Sequence, residues 1–273
     1  VQTYAVKNLK KGIEFLEQQF GVKWDWDAFW KNAKMYNESS RCMIEKWDVN
    51  CTEHPQVCGA ALALQREYEF MAAACMDKFM LKTDRRVTKM MLKGYEQDKA
   101  TNAPQPKYRC LVWACPAHYY TNFTYWTQHC WGVTCVNDME AMLSYQPITI
   151  GDKEQALADL VRCYEKMMMR SHTNGGYVNL LDECWKMCEK FHTNIVIMYD
   201  HVSCKNVGGL HGLFEDQARE RGIHLIWIPH DVMDPRTVSR REMREAFSQY
   251  MVTVLNEKPL DPTLLDYEDA LSW

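Results

Sequence analysis

Apolar residues recur along this chain at two different spacings, and the change from one to the other falls near residue 107. Before it the spacing is helical. Tyr4, Leu9, Ile13, Phe15 and Leu16 predict an amphipathic helix that ends at Gly21. Asp25 or Asp27 can cap a second helix carrying Phe29, Ala33, Met35 and Tyr36, which runs on to Trp47 and is broken at His54-Pro55. Two more helical blocks follow, from Ala60 to Phe79 and from Thr83 to Tyr95. Lys99 to Lys107, with Pro104 and Pro106 among polar residues, reads as a linker.

Past the linker, short apolar runs alternate with helical segments. Arg109–Ala114, Gly132–Val136, Ile195–Tyr199 and Ile223–Ile228 read as strands. Helices are predicted over Ala117–Cys130, Asp152–Met169 and Tyr177–Phe191. Another carries Leu210, Leu213, Phe214 and Ala218 on one face and stops at Gly222. Ser239 opens a last helix, to about Leu255, with Glu242 at the capping-box position. This alternation implies an α/β fold: a Rossmann-like, doubly wound parallel sheet with helices on both faces, preceded by a helical linking region. The expected divisions are 1–107 (helical), 108–255 (α/β) and 256–273 (C-terminal tail).

Composition narrows the function classes. The 273 residues carry a net charge of -4 with no block of Lys or Arg, which argues against a nucleic-acid partner. No stretch approaches the roughly 18 apolar residues of a membrane span. Twelve cysteines beside 17 methionines and 10 tryptophans, mostly inside helix and strand patterns, fit small core residues in a reducing, anaerobic cytoplasm. No GxGxxG, GxxxxGK[ST] or GxSxG is present, which argues against an NAD fingerprint, a P-loop NTPase and an α/β-hydrolase.

Open parallel sheets bind ligands beyond the carboxyl ends of their strands. Cys204 lies there, in HVSCKN, ahead of Gly208 and Gly209. A cation and a following helix favour a thiolate, which can attack a substrate or ligate a soft metal; a loop thiol without a role is the competing reading. The loops after the other strands bring Pro116, His118 and Tyr119, then Asn137, Asp138 and Glu140, then His230, Asp231, Asp234 and Arg236 to the same edge. His118 can donate a hydrogen bond to a thioester carbonyl, or be a satisfied loop histidine. Asp234-Pro235 reads as the start of a turn. Cys51 and Cys58 flank His54, but no second ligand pair stands at zinc-finger spacing. Cys184 and Cys188 share a helix face and read as core.

Four segments carry a resemblance: YAVKNLKKGIEFLEQQFGVKWDWDAF, RCLVWACPAHYY with GVTCVNDME, HVSCKNVGG, and GIHLIWIPHDVMDPRTVSRREMREAF. In their order they resemble the 2-hydroxyacyl-CoA dehydratase family, whose relatives include benzoyl-CoA reductase subunits. The resemblance implies an oxygen-sensitive heterodimer with a homologous second subunit, and an ATP-dependent iron–sulfur activator that delivers single electrons to an acyl-CoA thioester. It implies a [4Fe–4S] cluster held by three cysteines, with Cys204 as the third; thiolate ligation is the rule for such clusters. The other two cysteines would belong to an N-terminal domain ahead of Val1, unless Cys115 or Cys135 substitutes. Pro116, His118 and Tyr119 are the expected substrate contacts, and His118 and Asp231 the expected catalytic residues. HVSCKN and DPRTVS lead the reading toward reduction of an aromatic ring. Dehydration of an (R)-2-hydroxyacyl-CoA, and a non-catalytic partner subunit, are the alternatives.

Overall fold

The computed structural model describes residues 2–66, 78–141, 146–166 and 168–266. The first part is helical: α1 (Gln2–Phe20), α2 (Trp26–Asn50), a helical stretch over 60–66, and α3 (Lys78–Thr101). Asp25 caps α2 by accepting from the Ala28 N–H at 2.9 Å, because the first amides of a helix have no partner within it. Helices α2 and α3 are joined by a buried pair, Lys46 Nζ to Asp84 Oδ1 at 3.0 Å, and Ser39 donates to the other Asp84 oxygen. The helix expected to end at Tyr95 continues to Thr101, so the connection to the sheet is shorter than the expected linker. Part of the block expected over Ala60–Phe79 lies outside the described residues, as does the end of the tail.

Among the described residues the sheet has four parallel strands in the order β2-β1-β3-β4: β1 (Tyr108–Trp113), β2 (Val133–Asp138), β3 (Ile195–His201) and β4 (His224–His230). Between them run α4 (Phe123–Trp131), α5 (Lys153–Lys166), α6 (Met168–Phe191, with a non-helical Gly176), the single turn α7 (Lys205–Gly208) and α8 (His211–Arg221); α9 (Arg240–Thr253) follows β4. Phe123 and Trp126 of α4 pack on Phe247 of α9, while Trp185 of α6 packs on Phe214 of α8. Helices therefore cover the sheet in two layers. Strands covered on both faces have no solvent side, which is why β2 is buried throughout and β3 from Ile195 to Tyr199.

Arg109, at the start of β1, ties the helical part to the sheet. Its guanidinium donates to the carbonyls of Phe191, Thr52 and Asn50. Gly222 ends α8 in the left-handed region at φ 65, and the Ser239–Glu242 capping box opens α9, both as the sequence predicts. Two further expectations change. The segment expected to be helical from Ala117 stays a loop until Phe123, because Tyr119 and His118 are held by contacts with distant loops rather than by helical bonds. Leu213, expected on the buried face of α8, is 42% exposed, whereas Phe214 and Ala218 are buried.

Candidate functional site

The chain leaves β1 toward β2 on one side and returns to β3 on the other, so the direction reverses between β1 and β3. In open α/β sheets the ligand crevice forms at that reversal, beyond the carboxyl ends. Three of the loops there are fastened to one another. The His118 N–H donates to Val232 O at 3.0 Å, and Val202 N–H to His230 O at 3.1 Å. Tyr119 Oη donates to Val238 O at 2.6 Å, and Arg240 donates to Tyr119 O.

The edge beyond β1 and β2 is built from buried charge. Ala114 adopts φ 64, a left-handed conformation that costs a non-glycine residue about 1–2 kcal/mol, and turns the chain into Cys115. In β2 the register shifts at Cys110/Leu111, leaving Val136 as an extra residue whose carbonyl accepts from Asn50. After this bulge Asp138 lies at the strand end, paired with Arg66 at 2.8 Å; the two side chains are 0% and 3% exposed. Asp138 Oδ1 also accepts from the Glu140 N–H. Glu140 itself is 8% exposed. One oxygen, Oε2, has no donor among the described residues apart from the Cys115 thiol beside the carboxylate, and Arg66 Nε stands 3.9 Å from it.

Cys115, His118 and Glu140 converge there, each offering an atom within 4.8 Å of the others. Burial, and the adjoining Glu140 carboxylate, push the Cys115 thiol well above its ordinary range. Burial likewise raises Glu140, and the thiol and Arg66 partly oppose that rise.

The edge beyond β3 and β4 is built from local turns. Cys204 is half-buried and precedes α7, its N–H donating to His201 O at 2.9 Å. Asp231 Oδ1 accepts from the N–H groups of Met233 and Asp234, which lowers its pKa and gives it a turn-forming role. Asp234 is held down to about 2 by Arg236, which it pairs in a fork. Between the two edges lies His230, 0% exposed. Neither ring nitrogen makes a well-formed hydrogen bond, although backbone at Cys115 and Asp200 is close. Burial drives its pKa to about 4.

The expected residues thus have different surroundings. His118 and Tyr119 are half-buried and Pro116 is buried. Asp138, Glu140 and His230 are more deeply placed than loop positions would suggest, since β2 and β4 run to Asp138 and His230. Arg66 was not among the expected residues. Its one sequence signal is its place four residues after Leu62, on the same apolar helix face. Cys135 is buried in the sheet opposite Cys110, away from the edge, and Cys184 and Cys188 are core. Among the described residues, the one converging group of three metal-capable side chains omits Cys204. The described residues therefore do not assemble three cysteines for a four-iron cluster.

Among the described residues no helix is long and apolar enough to cross a membrane. Two cavities open at the opposite end of the sheet. One of about 660 Å³ is lined by Trp185, His192 and Arg221, and one of about 250 Å³ by Cys51, Arg109 and His192. The titratable convergence lies elsewhere, and that chemistry, rather than volume, marks the carboxyl edge as the candidate site.

A family model described as HGD-D, 2-hydroxyglutaryl-CoA dehydratase, D-component, matches residues 1–251. No curated protein matches the chain.

Proposed function

Because the chain belongs to the 2-hydroxyglutaryl-CoA dehydratase D-component family, we propose that it is one component of a cytoplasmic, multi-subunit enzyme acting on an acyl-CoA thioester. The match over residues 1–251 carries this reading. It supports dehydration of a 2-hydroxyacyl-CoA, which we take first. Reduction of an aromatic acyl-CoA, which HVSCKN and DPRTVS support, becomes the narrower second reading.

The thioester would lie at the carboxyl edge, with His118 donating to its carbonyl and Pro116 and the Tyr119 ring shaping the wall. Tyr119's hydroxyl is engaged with Val238 O, so it would contribute its face. Asp231 would serve as a base only through what its turn contacts leave available. Cys204 would supply one ligand of an iron–sulfur cluster, with cysteines from outside the described residues completing the set. A homologous second subunit and an ATP-dependent iron–sulfur activator would be the partners.

The chain should be produced anaerobically with a homologous partner, and iron and acid-labile sulfide measured for wild type and Cys204→Ser. Iron content unchanged by the substitution would remove the ligand assignment. Turnover of benzoyl-CoA against lactoyl-, 2-hydroxyglutaryl- and phenyllactoyl-CoA decides the reaction. Turnover of the hydroxyacyl thioesters is expected, and reduction of benzoyl-CoA alone would overturn the order of the two readings.

A further inference from the structure

Cys115 and His118 come from one loop and Glu140 from the next, yet their ligand atoms gather within 4.8 Å of one another. Cys115 Sγ and His118 Nε2 are 3.9 Å apart, at the outer limit of a hydrogen bond to sulfur. A tetrahedral zinc ion, with Zn–S about 2.3 Å and Zn–N about 2.1 Å, holds its sulfur and nitrogen ligands about 3.6 Å apart. The pair is therefore within a few tenths of an ångström of ligating geometry.

Glu140 is a second, independent pointer. It is 8% exposed, and apart from the Cys115 thiol beside the carboxylate its Oε2 has no donor among the described residues. Its nearest cation, Arg66 Nε at 3.9 Å, belongs to a guanidinium that already pairs with Asp138 at 2.8 Å. A buried carboxylate oxygen with so few donors is costly unless something positive faces it. Once a metal ion displaces the Cys115 proton, the cluster among the described residues holds three negative groups, Cys115, Glu140 and Asp138, against one positive, Arg66. A divalent cation balances the remainder.

We propose that Cys115, His118 and Glu140 form a mononuclear site for a borderline-soft divalent cation, zinc or ferrous iron. Thiolate, imidazole and carboxylate together suit these ions better than magnesium or calcium, which prefer oxygen. Three protein ligands leave one position open, the arrangement of catalytic rather than structural zinc sites. Metal binding commits His118 Nε2 to the ion in place of a direct hydrogen bond to a thioester. The inference rests neither on the family assignment nor on Cys204, so the two can fail separately.

The full chain, purified anaerobically and stripped with a chelator, should be titrated with cobalt(II), zinc(II) and iron(II). One equivalent of cobalt is expected, with sulfur-to-cobalt charge-transfer absorption that Cys115→Ser abolishes. His118→Ala and Glu140→Gln should each weaken binding more than tenfold, and Cys204→Ser should leave it unchanged. Far-ultraviolet circular dichroism confirms that each variant folds, and the near-isosteric Glu140→Gln keeps the test valid should Cys115→Ser fail to fold. A folded wild type without charge-transfer absorption, or equal affinity in wild type and Glu140→Gln, would overturn the site. So would loss of binding in Cys204→Ser together with acid-labile sulfide, a result that would support the iron–sulfur reading instead.

Discussion

The two halves of the sheet's carboxyl edge are built by opposite means. Beyond β1 and β2, Arg66, then Cys115 and His118, then Asp138 and Glu140 meet around a buried ion pair, supplied by three segments far apart in sequence. Beyond β3 and β4, Asp231, Asp234 with Arg236, and Ser239 with Glu242 make bonds two or three residues along the chain, mostly in solvent. A buried charge without its partner cannot relax into water, whereas an exposed turn exchanges its protein bonds for water at little loss. The first half should therefore be fragile to single substitutions and the second tolerant.

The sharpest test is Arg66→Met. It strands Asp138 and Glu140 in the interior, and should cost about 3–5 kcal/mol of folding stability in urea denaturation. Replacing Asp138 by Leu in the same chain should recover much of that loss. A drop within experimental error for Arg66→Met would mean the buried half gains nothing from its ion pair.

His230, at the seam, titrates the contrast. Its folded pKa of about 4 lies below the ordinary value of 6.5, so the unfolded chain binds a proton that the folded chain refuses. Stability should be unaffected by this group above pH 6.5 and fall as pH drops from there toward 4. The loss, on the order of 3 kcal/mol, should disappear in His230→Phe. Unfolding midpoints measured across that range check it, and an identical pH slope in the variant would assign the effect to other groups.

On the tolerant side, Ser239→Ala removes a helix cap and should cost about 1 kcal/mol, read from the thermal midpoint. Arg236→Ala should leave the midpoint where it is, because the pair with Asp234 is solvent-exposed. A clear shift in the second would show that the DPR turn is coupled to the buried half.

Legibility in sequence follows the same division. The turn at Asp234-Pro235, the capping box at Ser239 and the stop at Gly222 involve neighbours along the chain, and each is readable from residue types. The apolar strands were readable too, since strands covered on both faces carry unbroken apolar runs. The segment from Ala117 to Asn122 reads as helix in the sequence but is a loop, because the bonds holding it come from Val232, Val238 and Arg240. Arg66 carries little signal in sequence for a similar reason: its partner Asp138 is 72 residues away.

Periodicity and local turn chemistry, then, determined by themselves the α/β class, the alternation of strands and helices, and the edge at which chemistry should be sought. These depend on burial period and on bonds between near neighbours, and both are written in residue order. Which side chains meet at that edge was decided by strand order, by the bulge at Val136 and by the packing of the 60–66 helix against β2. Those are long-range choices, made by the burial of the whole sheet. They separate Cys204, the residue most conspicuous in sequence, from the one converging ligand group among the described residues, at Cys115, His118 and Glu140.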